Sequence, residues 1–103
     1  MEQIERIQEM EKRLDASAKA IRDMKKALKA YTDVYPQYRE LSEYYTSDDW
    51  MQDYTDDEAG RLPRDLKRGV LSEDLVFDLL NENRRMLIDM LNLVTKALET
   101  NGF

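Results

Sequence analysis

Six carboxylates, Asp48, Asp49, Asp53, Asp56, Asp57 and Glu58, crowd between positions 46 and 60 with no base among them. On a helix Asp49, Asp53 and Asp56 or Asp57 share one face. Hard cations such as magnesium or calcium bind carboxylate oxygens, so a divalent site is one chemistry this group could support. The pattern lacks an EF-hand loop and a second acidic helix at fixed spacing. An acidic helix start with a solvated face is therefore the favoured reading, and we expect no metal and no cofactor. Arg61, Arg64, Lys67 and Arg68 follow directly. They are close enough to pair with the acids, and the alternative is contact with an acidic partner or phosphate.

The second concentration of chemistry is aromatic. Tyr31, Tyr35, Tyr38, Tyr44, Tyr45, Trp50 and Tyr54 gather within a short stretch before and inside the acidic segment. Such side chains are enriched at binding hot spots and can stack on a peptide or a base. They also fill the widened gap where short helices wedge against longer ones, keeping a hydroxyl in reach of water or a carboxylate. The structural role is favoured. If the chain carries an interaction surface, its candidates are Tyr31, Tyr35, Tyr38, Tyr44, Trp50, Arg64, Lys67 and Arg68.

Other chemistries are excluded by residue type. The 103 residues include neither cysteine nor histidine. Disulfides, thiolate zinc sites and cysteine nucleophiles are ruled out, as are histidine general bases and histidine metal ligands. The formal charge is −6, which opposes sequence-independent binding to nucleic acid, because neutralising phosphates needs a basic face. No run approaches the roughly 20 apolar residues of a membrane span, and the N-terminus lacks a basic start followed by an apolar core. A soluble, unexported, cytoplasmic protein with no nucleic-acid and no membrane partner is expected.

The elements that position these groups are helical. With 37% charged and 42% hydrophobic residues, three glycines and two prolines, the composition suits helices rather than sheet or disorder. Ile7, Met10, Leu14, Ser17, Ile21, Met24, Leu28, Tyr31, Tyr35, Tyr38, Ser42 and Tyr45 follow at alternating steps of three and four. That spacing forms one seam of a long helix from about Gln3 to Tyr45. Pro36 lacks the amide hydrogen and clashes with the carbonyl four residues back, so a kink is expected there. Since the seam keeps its phase past Pro36, a kinked continuation is favoured over a break. A short helix from Asp48 to Ala59 should begin at a hydroxyl or carboxylate cap and end at Gly60. One further helical turn is expected over Arg64 to Arg68. Ser72, Glu73 and Asp74 then open a last helix reaching about Glu99.

The expected fold is all-α: two long antiparallel helices, the first kinked near Pro36, bridged by two short helices. It forms a single domain over residues 1–103 with a connector at 46–71. Leu14, Ile21, Leu28, Leu79, Leu87 and Val94 are the expected core. Trp50, Met51, Tyr54, Leu62, Leu66 and Val70 should leave water with the connector. Leu75, Phe77, Ile88 and Leu91 lie outside the last helix's seam, which points to cover by the short helices or by a second subunit.

Three stretches resemble a known family: MEQIERIQEME from Met1 to Glu11, LSEYY from Leu41 to Tyr45 with Trp50 and Met51, and LPRDLKRGVLSEDL from Leu62 to Leu75. The last stretch is followed by Asp78, Leu79 and Leu80, then by Glu82, Asn83 and Arg84. The chain is similar over nearly its whole length to small bacterial helical proteins catalogued as domain of unknown function 4298. The resemblance implies a stand-alone cytoplasmic helical protein and brings no activity, substrate or catalytic residue.

Function therefore rests on the residues. The leading expectation is a non-enzymatic helical interaction protein, a possible homodimer or a module that docks on a protein partner. A carboxylate- and metal-dependent enzyme at the acidic short helix is the alternative. An acidic mimic of nucleic acid is disfavoured, because the acids sit in one stretch instead of along one face.

Overall fold

The computed structural model describes residues 2–99 and is all-helical, with no strand among those residues. Three helices follow in order: α1, Gln3–Tyr45; α2, Asp48–Glu58; and α3, Glu73–Leu98. A 3₁₀ turn, Gly69–Leu71, leads into α3. The chain divides into two compact units, Met1–Glu40 and Leu41–Phe103.

In the first unit the described chain is helix α1 alone. Good helix formers carry it, and pairs three or four residues apart lace its surface: Lys12 and Arg13 with Glu9, Lys19 with Asp23 at 2.7 Å, and Lys29 with Asp33 at 2.9 Å. All are solvent-exposed, and each adds only a few tenths of a kcal/mol. α1 runs through Pro36 without a break, the alternative that the unbroken heptad phase favoured. The Thr32 carbonyl loses its usual helical donor there, because proline has no amide hydrogen. Ile7, Met10, Leu14, Ile21, Met24 and Leu28 are each more than half exposed. The expectation that Leu14, Ile21 and Leu28 form core is thus overturned. Heptad spacing aligns a seam but does not provide a second surface to cover it.

The second unit has a small core of Trp50, Leu71 and Val76, exposed by 6%, 7% and 4%. Its elements are joined by local signals. Ser47 ends α1 and starts α2: its amide and hydroxyl both donate to the Tyr44 carbonyl, at 3.0 and 2.6 Å, while the hydroxyl accepts from the Trp50 amide at 3.2 Å. α2 closes on Gly60, whose φ of 71° is left-handed. The Gly60 amide donates to the Asp57 carbonyl and the Arg61 amide to the Asp56 carbonyl, which satisfies two of the last free carbonyls of α2. Ser72 caps α3 by accepting from the Leu75 amide at 3.3 Å.

The predicted helical turn over Arg64 to Arg68 does not form. A turn closed by the Leu66 amide on the Pro63 carbonyl stands there, and the helical step lies later, at Gly69–Leu71. One reason is that Arg68 turns its guanidinium back on the loop, onto the carbonyls of Pro63 and Leu66. Met51, Leu66 and Val70 remain exposed, against expectation. On α3, Leu79, Leu87 and Val94 are exposed as well, so they are not core either. The short elements of the unit bury Val76 in its first turns, while Leu91, Leu93 and Leu98 farther along stay open.

Candidate functional site

Trp50 organises the second unit. Its indole nitrogen donates to the Val70 carbonyl at 2.8 Å, fastening α2 to the 3₁₀ turn. Tyr45 meets the indole edge-on and Tyr54 stacks on it, each with ring centroids 5.1 Å away. The Tyr45 hydroxyl donates to the Glu73 carbonyl at 3.3 Å, so the same ring group reaches the start of α3. Trp50 itself is almost wholly buried.

The seven aromatic residues singled out in the sequence fall into separate sets of contacts. Tyr45, Trp50 and Tyr54 form the group just described. Tyr31, Tyr35 and Tyr38 form a ladder along α1 with successive centroids 5.8 Å apart; Tyr31 and Tyr38 are half-buried, Tyr35 somewhat more open. Tyr44 joins neither set. Its hydroxyl donates to Asp53 Oδ2 at 2.6 Å. Burial, that hydrogen bond, and the charges of Asp53 and Asp49 push the Tyr44 phenol up to about 12. The Tyr54 phenol is also raised, first by the Glu58 and Glu73 charges and then by burial.

The acidic residues of α2 are divided among different partners. Asp48 and Asp49 occupy its first turn, where negative charge suits the helix dipole. Asp53 accepts the hydrogen bond of the Tyr44 hydroxyl. Asp56 accepts from Gln52 at 3.1 Å and from Arg61 at 3.0 Å, and these two bonds hold its carboxyl below the usual carboxylate range. Asp57 pairs with Arg68. Among the described residues no three carboxylates gather as a metal-binding group. Of the four bases, Arg61 and Arg68 thus fulfil the internal match, whereas Arg64 and Lys67 are exposed and make no ion pair among the described residues.

The residues that sequence reasoning did not assemble are apolar. Leu41, Val70, Leu75, Val76 and Leu79 line a groove of about 350 Å³ with Lys67 at its side. Leu75 and Leu79, one helical turn apart just behind the Ser72 cap, carried the only advance signal. A second open face lies along α3 at Met86, Met90 and Leu93, bordered by Glu82, Arg85 and Asp89. Among the described residues no helix is long and apolar enough to cross a membrane.

Among the described residues the fold is all-helical, with a small core around Trp50 and many large apolar side chains exposed. Residues 7–93 match the family described as Domain of unknown function (DUF4298), and the chain belongs to that family. The match takes in the LPRDLKRGVLSEDL stretch from Leu62 to Leu75. Among curated proteins, no sequence matches the chain.

Proposed function

We propose that this chain is a non-enzymatic interaction protein which self-associates through the apolar faces of its long helices. One observation carries the reading. Ile7, Leu14, Ile21 and Leu28 on α1, and Leu75, Phe77, Leu91 and Leu93 on α3, are each more than half exposed. Monomeric proteins rarely leave apolar residues so continuously open, and extended open faces mark sites of association. The candidates Tyr35, Arg64 and Lys67, which keep exposure and charge or ring surface free, serve docking on a protein partner in the same proposal. The lack of cysteine fits a site of action in the cytoplasm.

Sedimentation equilibrium of the full chain tests this proposal. Twice the 12.2 kDa chain mass, or a higher multiple, is expected at micromolar concentration. A single-chain mass at all concentrations would overturn it.

A further inference from the structure

The exposed seam of α1 has features that specify its partner. With Ile7, Leu14, Ile21 and Leu28 at one core position of the heptad and Met10, Ser17, Met24 and Tyr31 at the other, the apolar stripe is narrow. A stripe of two positions in seven is the seam of a two-stranded coiled coil, whereas the broad face of α3 suits a bundle. The intrahelical ion pairs of α1 join Glu9, Lys12, Lys19, Asp23, Lys29 and Asp33 away from the seam, and Arg13, beside Leu14 on the opposite flank from Glu11, to Glu9. The residues just after Met10, Ser17 and Met24 are Glu11, Ala18 and Lys25. Glu11 and Lys25 are exposed and make no ion pair among the described residues. This flank thus reads acid, neutral, base, and inverting it about Ala18 sets each acid against a base.

We propose that the α1 seam from Ile7 to Leu28 docks on the same segment of a second copy of this chain, running antiparallel about a two-fold axis near Ala18. The proposal rests on the self-association argued above and names its surface, occupant and direction. In this register Met10 packs against Leu28 of the second copy, Leu14 against Met24, and Ser17 against Ile21. Like flanks face one another in an antiparallel pair, so Glu11 meets Lys25 of the second copy twice by symmetry. A parallel pair instead brings Glu11 to Arg6 and leaves Lys25 beside Ala20. It would also align Tyr31, Tyr35 and Tyr38 with their own counterparts, forcing three successive phenol layers into the seam. The antiparallel register uses the open segment and brings only the first ring of the tyrosine ladder into play, Tyr31 against Ile7 of the second copy, so no phenol layer faces its own counterpart.

Charge reversal in the full chain separates the outcomes, because all the substituted side chains are exposed. Glu11→Lys alone and Lys25→Glu alone should each raise the dimer dissociation constant about tenfold, and the double variant E11K/K25E should recover the parent value. In addition, Met10→Cys and Leu28→Cys chains, mixed and oxidised, should join to each other and not to themselves. A dimer indifferent to these reversals, or one weakened by Glu11→Lys and restored by Arg6→Glu in place of Lys25→Glu, overturns the antiparallel seam while leaving self-association standing. A parent chain that is monomeric at every concentration removes self-association itself, and this surface with it.

Discussion

Trp50 joins three elements through one side chain: it is held by the Val70 carbonyl, stacked on Tyr54 and edged by Tyr45. In a unit with so few buried residues its loss has little to compensate it. Trp50→Ala should cost about 3 to 5 kcal/mol, read as a lower melting temperature by circular dichroism. Tyr44 makes a pH-dependent contribution. Its phenol, raised to about 12, holds its proton more tightly in the folded than in the unfolded chain, where tyrosine titrates near 10. The stabilisation is fully present below pH 10 and is lost as the pH rises from there through 12. Ultraviolet titration should show Tyr44 and Tyr54 titrating late, and Tyr44→Phe should remove the component near 12. Asp53→Asn should bring that late titration only part of the way back, because burial is the larger cause.

At the scale of elements, the caps decide where helices start and stop. Ser47→Ala and Ser72→Ala should each lower stability by about 1 kcal/mol in urea unfolding, since each leaves a first-turn amide without its acceptor. Gly60→Ala should cost about 1 to 2 kcal/mol for a different reason: a Cβ meets no neighbour there, but the left-handed φ strains any L side chain. These same signals made the helix limits readable from sequence, because a cap is a contact between residues a few positions apart. The turn at Arg64 to Arg68 was not readable, because what holds it, Arg68 folded back on Pro63 and paired with Asp57, depends on distances no periodicity encodes. Burial was the least readable property. Leu14, Leu28 and Val94 have the spacing of core residues, yet spacing only aligns side chains, and cover comes from another surface. Among the candidate interaction residues, Trp50 and Arg68 illustrate the same limit: nothing local distinguished an anchor of the fold from a contact for a partner.

For the whole molecule, the described chain buries little and leaves apolar side chains open along two long helices. Removing that surface from water would supply the driving force for the proposed association, roughly 25 cal/mol for each Å² covered. Leu28→Ala, made on an open side chain, should therefore change assembly more than the stability of a lone chain. When folding is coupled to association, the melting temperature depends on concentration, by mass action. The decisive measurement is the melting temperature of the full chain, followed by circular dichroism over about a hundredfold range of concentration. Self-association predicts a temperature that climbs with concentration in the parent chain and climbs from a lower start in Leu28→Ala. The same temperature at every concentration in both chains would contradict it.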